Sequence, residues 1–258
     1  MEKNLLKEKI LEGKPILGAF LGFNSPNLVE IFGYTGFDFI ILDREHGSMS
    51  ISESENMIRA AETAGIVPII RVPSNERTNI LKALDIGSFG VQIPMVNTKE
   101  DAEKAVSFAK YSAKMNSRGL TFSTRAASYG VGVNKDLHMQ TSNDESLVIV
   151  QIETQDAINN LDGILEVDGV DFVFIGPSDL SQSLNLPGQV NHPLVQKTME
   201  EAIGKIVAAN KVPGLFIGDP KEAKKWIDLG VKYIACGGPA LISGGMKNFV
   251  STFLEQLQ

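Results

Sequence analysis

The sequence predicts an α/β protein folded as a closed (β/α)8 barrel. Eight short apolar runs follow one another along the chain, and most of the stretches between them have the spacing of amphipathic helices. The runs are apolar at nearly every position, so neither face of the sheet meets water, which is typical of a parallel sheet covered by helices. Eight units favour a closed barrel over an open sheet, and no G-x-G-x-x-G follows the first run.

The elements can be assigned in order along the chain. The apolar runs are ILGAFLGF, FDFIILD, VPIIRVP, GVQIPMV, LVIVQIE, VDFVFIGP, VPGLFIG and YIACGGP. Helices are predicted over 52–64, 76–86, 98–109 and 193–209, each opening near a Ser, Thr, Asn or Pro start signal. The segment 111–146, rich in Ser, Asn, Gly and Tyr, is predicted to be an irregular insertion, and loops of that length are usually functional or mobile. No linker or change of composition divides the chain, so one domain is expected over 1–258.

Composition excludes several classes of function. The net charge is −7 and there is no basic block or stripe, so a nucleic-acid partner is not expected. No apolar run has the length of a membrane span, and residues 1–12 lack the apolar stretch of a signal peptide, so we expect a soluble cytoplasmic protein without a membrane partner. The single cysteine, Cys236, excludes an intrachain disulfide framework and a multi-cysteine zinc site. Its position at the end of the last run fits a small core residue better than a nucleophile.

Polar residues close several of the apolar runs. In an α/β barrel the active site lies at the carboxyl ends of the strands, so these residues are the candidates for chemistry. They are Asp43, Arg44, Glu45, His46, Arg71, Gln151, Glu153, Ser178 and Asp179.

Glu153 and Asp179 follow neighbouring strands and are expected at the same height of the barrel. Two carboxylates with room for waters and a chelating substrate suit a hard divalent ion such as Mg²⁺ or Mn²⁺ and suit zinc less well. The alternative is that each carboxylate only stabilises the start of the helix that follows it.

Arg71, His46 and Asp43 form a second group of candidates. Arg71 interrupts a buried run, and a buried guanidinium needs an anionic partner. It either makes a structural ion pair, with Asp43 or Asp85, or holds a developing oxyanion such as an enolate. Asp43 could fix the tautomer of His46 and tune its basicity, as a general base near neutral pH requires.

The turn IGPSDLS, which contains Ser178, places Gly and Pro directly after a strand. Backbone N–H groups in such a turn can face a ligand carboxylate, although turns of this composition are common.

Together these strings resemble the HpcH/HpaI class II pyruvate aldolases, which include 2-dehydro-3-deoxyglucarate, 2-keto-3-deoxyrhamnonate and 4-hydroxy-2-oxoheptanedioate aldolases. FDFIILDREHG resembles the D-x-E-H-G/A signature, and the match continues through PIIRVP, LDIGSFGVQIPMV, SRGLTFSTRAASYG, VQIET and VDFVFIGPSDLS. The resemblance spans nearly the whole chain in the family's order. It implies a barrel of the phosphoenolpyruvate/pyruvate type and cleavage of a 4-hydroxy-2-oxoacid to pyruvate and an aldehyde.

The resemblance also implies roles for individual residues. Glu153 and Asp179 would ligate the divalent ion, Mg²⁺ or Mn²⁺, with Co²⁺ and Zn²⁺ as alternatives. His46, supported by Asp43, would be the acid/base, and Arg71 would hold the keto oxygen. Gln151 and Ser178 would bind the substrate, and no Schiff-base lysine closes a strand. Family members form hexamers, with the C-terminal helix exchanged between subunits, which would involve the segment after Pro239.

Two departures from the family pattern affect the aldehyde end of the site. Arg44 stands where relatives carry a small or apolar residue, and it would bind an acidic aldehyde tail or lower the basicity of His46. Pro239 stands where many relatives have an acidic residue. Other functions also stay open: oxaloacetate decarboxylation on the same site, a catalytically idle barrel used for binding, and, less well supported, a citryl-CoA or malyl-CoA lyase.

Overall fold

The computed structural model describes residues 3–113 and 117–257. Eight parallel strands close into a barrel in the order of the chain, β1 pairing with β2 on one side and with β8 on the other. The strands are β1 Ile16–Leu21, β2 Phe39–Asp43, β3 Val67–Arg71, β4 Gly90–Ile93, β5 Leu147–Ile152, β6 Phe172–Ile175, β7 Val212–Phe216 and β8 Tyr233–Gly237. The predicted (β/α)8 barrel is confirmed.

Helices separate the strands and cover the barrel. They are α1 Leu5–Leu11, α2 Pro26–Tyr34, α3 Ile51–Ala64, α4 Arg77–Asp85, α5 Lys99–Ala109, α6 Lys135–Glu145, α7 Gln155–Asn159, α8 Leu161–Leu165, α9 Pro177–Ser183, α10 Pro193–Ala208, α11 Ala223–Asp228 and α12 Gly238–Glu255. Two short 3-10 helices, Arg125–Gly130 and Pro220–Glu222, add to them. The four helices predicted from periodicity all form, with ends that differ by one residue at most.

The segment 111–146 is more regular than its composition predicts. The 3-10 helix Arg125–Gly130 and α6 lie within it, while residues 114–116 fall outside the described part of the chain. Only His138 and Ser142 of α6 are buried, so the helix has no apolar stripe for a periodicity argument to detect. Its start is set locally, because the Asn134 side chain accepts the N–H of Leu137.

Local capping also fixes both ends of α3. Ser50 and Glu53 form a reciprocal capping box at α3, in which each side chain accepts the other residue's N–H. Gly65, at φ 68°, ends the same helix in the left-handed conformation that glycine adopts without strain.

The barrel interior is apolar at its amino end and polar at its carboxyl end. Leu6 and Ile10 of α1 close the amino end and join the interior cluster. That cluster includes Ile16, Phe39, Ile41, Val67, Ile69, Leu147, Ile149, Phe172, Phe174, Tyr233 and Ala235. The buried polar side chains at the carboxyl ends of the central strands are Asp43, Arg71, Gln92 and Gln151. A second, larger apolar layer lies between the strands and the helices.

Helix α12 differs from the other helices because it packs little against the barrel. Gly238 is its one buried residue. Its exposed apolar residues, with Leu257 just beyond it, are Leu241, Met246, Phe249, Val250, Phe253, Leu254 and Leu257. No helix in the described part of the chain is long and apolar enough to cross a membrane.

Candidate active site

A cavity of about 330 Å³ opens at the carboxyl end of the barrel. It is lined by Phe20, His46, Arg71, Gln151, Phe174, Gly176, Pro177, Ser178, Asp179 and Phe216. Five of the residues singled out in the sequence therefore face one space: His46, Arg71, Gln151, Ser178 and Asp179.

Arg71 is held in place by the carboxylates of Asp43 and Glu45. The strand register sets Asp43 beside Arg71, and the guanidinium donates from Nε and Nη2 to the two carboxylate oxygens of Asp43 at 2.9 and 2.7 Å. Burial alone would raise the pKa of Asp43, but the Arg71 guanidinium outweighs it and holds that pKa below its usual value. The same pairing raises the pKa of Arg71 against the effect of its burial. The guanidinium is thus a fixed cation, and it lies 4.7 Å from the centre of the Phe20 ring.

Asp43 does not contact the His46 ring, contrary to the expected acid/base pair. One carboxylate oxygen of Asp43 accepts the backbone N–H groups of Glu45 and His46 at 3.1 and 3.3 Å. Because both oxygens also bind Arg71, the carboxylate is fully engaged. Asp43 therefore shapes the loop that carries His46, while the imidazole, with 67% of its side chain exposed, stays open to the cavity.

Glu45, one of the polar residues that follow β2, has contacts in this site that its place in the sequence did not indicate. Its carboxylate pairs with Nη1 of Arg71 at 3.1 Å and lies 4.0 Å from Nε2 of His46. Burial raises the pKa of Glu45. The charges of Arg71 and His46 oppose that rise, whereas those of Asp43 and Asp179 add to it. β2 ends at Asp43 and the chain bends at Glu45, so no strand periodicity could have predicted where this carboxylate lies.

Glu153 ends a buried hydrogen-bond network. Its side chain accepts the Met95 backbone N–H at 2.9 Å and an N–H from the Gln151 side chain. Gln151 in turn accepts from Nε2 of Gln92 at 2.6 Å, and Tyr233 donates its hydroxyl to Gln92 at 3.2 Å. Glu153 is 2% exposed, and Thr154, not Glu153, caps the helix that follows, α7. The capping alternative therefore does not explain Glu153.

Gly176 allows the close approach of the two strand ends. A methyl group at this position would lie 2.6 Å from a carboxylate oxygen of Glu153 and 3.4 Å from Nε2 of Gln151. The glycine following β6 thus leaves the space that the Glu153 carboxylate needs.

Asp179 and Ser178 lie in the first turn of α9. That position accords with the helix-dipole alternative for Asp179, but the residue also lines the cavity, so both descriptions apply to it. Ser178 is exposed at the cavity mouth.

Glu153 is a buried carboxylate whose two hydrogen-bond donors, the Met95 N–H and the Gln151 amide, are uncharged. Burial raises the pKa of Glu153 to about 7, against the hydrogen bonds from Gln151 and the Met95 N–H, and Glu45 and Asp179 add to the rise. Mutual repulsion of this kind is relieved by a bound cation, and carboxylate oxygens are the ligands that hard cations prefer. Within 3–113 and 117–257 no three His, Cys, Asp or Glu side chains are grouped to hold a metal by themselves. Mg²⁺ keeps several waters and needs only one or two carboxylates plus substrate oxygens, so the donor set fits it.

Arg44 does not line the cavity. Its Nε is buried without a hydrogen-bond partner among the described residues, and burial lowers the pKa of the guanidinium. The expected contact of Arg44 with substrate stays a prediction. The cavity wall is apolar instead, formed by Phe20, Phe174 and Phe216.

The sequence matches known proteins over most of its length. The family described as HpcH/HpaI aldolase/citrate lyase matches residues 17–239. A 2-keto-3-deoxy-L-rhamnonate aldolase of Klebsiella pneumoniae subsp. pneumoniae is 37% identical over 235 residues, which are 91% of this chain and 86% of the relative. A 4-hydroxy-2-oxo-heptane-1,7-dioate aldolase of Salmonella typhimurium is 34% identical over 252 residues, which are 97% and 95% of the two chains.

The fold is also similar to that of a solved member of the same family. The HpcH/HpaI aldolase from Desulfitobacterium hafniense DCB-2 is similar with a TM-score of 0.90 at 30% identity, covering 98% of this chain and 97% of that one. The chain therefore belongs to the HpcH/HpaI aldolase/citrate lyase family, and it is an enzyme of the aldolase type, a carbon–carbon lyase.

Proposed function

We propose that this aldolase depends on a divalent metal ion and reversibly cleaves a 4-hydroxy-2-oxoacid to pyruvate and an aldehyde. The observation that carries the proposal is the fixed Arg71 guanidinium in the same cavity as Asp179, Gln151 and His46. The names of the two aldolases described above support the substrate class.

Glu153 and Asp179 are the residues that would hold the ion, Mg²⁺ or Mn²⁺ by the chemistry of their oxygens. A bound ion would supply a Lewis acid for the carboxylate and keto oxygens of the oxoacid. Gln151 and the turn that carries Ser178 bind the substrate carboxylate, since both line the cavity together with Asp179.

Arg71 stabilises the negative charge that develops on the keto oxygen when the C3–C4 bond breaks. Because Asp43 and Glu45 hold the guanidinium from behind, it needs no rearrangement as the charge appears. Asp43 is in this respect a positioning residue, through its contacts with Arg71 and with the backbone of the His46 loop.

His46 accepts the 4-hydroxyl proton in the cleavage direction and returns a proton in synthesis. Its open position at the cavity supports this role, and Glu45, at 4.0 Å, is the carboxylate beside its Nε2. A general base must reach the proton it removes, and an exposed imidazole on a loop fixed by Asp43 meets that requirement.

The function is tested by an assay of pyruvate with a panel of aldehydes and several divalent ions. Succinic semialdehyde, glycolaldehyde, tartronate semialdehyde and lactaldehyde come first. We expect condensation that EDTA abolishes and added Mn²⁺ or Mg²⁺ restores. Oxaloacetate decarboxylation without any aldol cleavage would instead favour the decarboxylase alternative. Protein that binds no divalent ion and exchanges no pyruvate methyl protons would point to an idle barrel.

Replacing the proposed base separates the two reactions. We expect His46→Ala to lower kcat for 4-hydroxy-2-oxoacid cleavage by about 10²- to 10⁴-fold, since general-base catalysis contributes on this scale. Decarboxylation of oxaloacetate needs no base for a hydroxyl proton and should persist in the variant. His192→Asn, outside the cavity lining and with an acceptor kept at the start of α10, is the control. Full cleavage activity in His46→Ala that EDTA still abolishes would rule out this role.

Metal binding should weaken in acid. Because the pKa of Glu153 is raised to about 7, protons compete with the cation below that pH. We expect the apparent Kd for Mn²⁺ to be nearly constant above about pH 8 and to rise about tenfold per pH unit below about 6.5. Electron paramagnetic resonance of free Mn²⁺ measures it, and a Kd independent of pH down to about 5.5 would count against Glu153 as a ligand.

The proposal includes a homo-oligomer, a hexamer by the family resemblance, and a cytoplasmic location. The exposed apolar residues of α12 support a homo-oligomer, because a contiguous apolar helix face in water is typical of an interaction surface. The single cysteine, which forms no disulfide framework, agrees with a cytoplasmic location.

Charged substitutions on α12 test the assembly. Phe249 and Phe253 are each more than half exposed, so replacing both by Asp should leave the barrel intact. We expect the double variant to sediment as a smaller species than the wild type, because two charges would enter an apolar interface. Lys247→Glu on the same helix is the control, and a wild-type monomer would refute the assembly.

A further inference from the structure

A chain of buried hydrogen bonds connects the barrel core to the proposed metal ligand. It runs from the Tyr233 hydroxyl to Gln92, from Gln92 to Gln151 and from Gln151 to Glu153. All four side chains are 2% exposed or less. Gln151 lines the cavity, and Glu153 contacts Gln151 without being part of that lining. Tyr233 and Gln92 lie deeper, fully buried and outside the lining.

The chain has a direction: every link donates toward Glu153, whose ionised carboxylate can only accept, and the Tyr233 hydroxyl supplies the matching donor at the other end. The hydroxyl donates to the carbonyl oxygen of Gln92, which leaves the Gln92 amide nitrogen facing Gln151. The Gln151 oxygen accepts that N–H, so its own amide nitrogen faces Glu153. A side-chain amide has one accepting and one donating end, so reversing any one link reverses the next. Burial raises the pKa of Tyr233 well above its usual value, which keeps the hydroxyl proton available for donation.

This orientation decides what Gln151 presents to the cavity. Its nitrogen carries two N–H groups, and Glu153 takes one of them. The second remains as a donor for the carboxylate of an oxoacid. In the reversed orientation the Gln151 oxygen would face the Glu153 carboxylate and repel both that group and an anionic substrate.

Packing alone does not explain the tyrosine. Its ring stacks on Phe39 with centroids 4.4 Å apart and meets the edges of Phe172 and Phe174. A phenylalanine would make the same ring contacts without burying a hydroxyl, which is costly unless the hydroxyl is hydrogen-bonded. The hydroxyl has its partner in Gln92, the first link of the chain.

We propose that Tyr233 and Gln92 are positioning residues, which orient the Gln151 amide so that it donates to Glu153 and to the carboxylate of the bound oxoacid. The inference rests on the proposed function for the identity of the substrate. It adds two residues that lie behind the cavity wall and act only through Gln151.

Removal of the hydroxyl alone tests the proposal. We expect Tyr233→Phe to raise KM for the oxoacid and the Kd for pyruvate about tenfold, with kcat within about threefold. The reason is that the Gln151 N–H, which donates to the charged carboxylate of the ligand, is no longer held in place. The Kd for Mn²⁺, measured in the absence of substrate, should rise as well, since Glu153 loses its N–H donor. Tyr111→Phe removes a hydroxyl from another largely buried ring outside the chain and should change none of these values.

A double-mutant cycle gives a second measurement. Gln92→Leu breaks the chain at its centre, so adding Tyr233→Phe to it should have no further effect on KM or on Mn²⁺ affinity. Circular dichroism and urea unfolding establish that each variant is folded. Additive effects, or a folded Tyr233→Phe with unchanged pyruvate and Mn²⁺ affinities, would overturn the positioning role, as would loss of the fold in both single variants.

The outcomes also separate this inference from the proposed function. If the wild type is active and metal-dependent and the Tyr233→Phe variant is unaffected, only the positioning role of Tyr233 and Gln92 is refuted. If the wild type binds pyruvate and Mn²⁺ without aldol cleavage, and Tyr233→Phe weakens both affinities, the proposed reaction is refuted but the positioning role is retained. A wild type that binds neither refutes both.

Discussion

Glu153→Gln should abolish aldol cleavage and at the same time stabilise the metal-free protein. The amide has nearly the same shape as the carboxylate but carries no charge, so we expect a loss of activity on the order of 10³-fold or more with Mn²⁺ present. The buried carboxylate has its pKa raised to about 7 from 4.5, so folding disfavours its ionised form. At about pH 8 in EDTA, removal of the charge should add free energy of unfolding on the order of 3 kcal/mol, reduced by the loss of one of the two N–H bonds that the carboxylate accepts from Gln151 and Met95.

The sign of that gain depends on pH. A carboxyl group whose pKa rises on folding destabilises the protein above the folded pKa and has no effect below its ordinary pKa. The gain should therefore be full above about pH 7.5 and vanish near pH 4.5. Urea unfolding at both pH values measures it. Glu166→Gln, at an exposed glutamate paired with Lys99, is the control and should change little. Activity within tenfold of the wild type, or no gain in stability at the higher pH, would contradict the account of Glu153.

Arg71→Lys should lower kcat/KM for oxoacid cleavage by about 10²- to 10⁴-fold although the charge is kept. A lysine cannot donate two parallel hydrogen bonds to Asp43 while also reaching Glu45, so the cation would lose its fixed position. Catalysis by a preorganised charge depends on that position, and the loss of one such donor costs about this much. Steady-state cleavage and exchange of the pyruvate methyl protons, followed by nuclear magnetic resonance, measure the effect.

The control for Arg71→Lys is Arg59→Lys, at an exposed arginine that pairs with Glu55 on α3. Its activity should match the wild type. If Arg71→Lys exchanged pyruvate protons at the wild-type rate, Arg71 would be an ion-pair partner of Asp43 and nothing more.

The fold could be predicted because its signals are local. The strands β1 to β8 are apolar at nearly every position, and the helices α3, α4, α5 and α10 have apolar stripes and start signals. Helix α6 could not be predicted in this way, since its sequence is polar on most of its surface and buries only His138 and Ser142. Without a stripe of apolar residues on one face, the spacing of residues in this segment does not indicate a helix.

The members of the site could be predicted, and the ion pair of Arg71 with Asp43 was one of the alternatives, but the other contacts could not. Asp43 and Arg71 were recognised, and their register as neighbours on β2 and β3 follows from the barrel. The partner of Asp43 was a different matter. Only two residues separate Asp43 from His46 in the sequence. The Asp43 carboxylate nevertheless binds Arg71, because a buried guanidinium holds an anion more strongly than an exposed imidazole does. Glu45 was a candidate without a role for the same reason, since its contact is with Arg71.

The sequence by itself determined the barrel, the apolar core and the end of the barrel at which the polar residues meet. These depend on the period of apolar residues and on strand order, which short stretches of chain carry. Tertiary structure alone decided the direction of the hydrogen bonds from Tyr233 to Glu153, the carboxylates around Arg71 and the exclusion of Arg44 from the cavity lining. Such contacts join residues that lie far apart in the chain, and burial and charge choose among partners only once the barrel has closed.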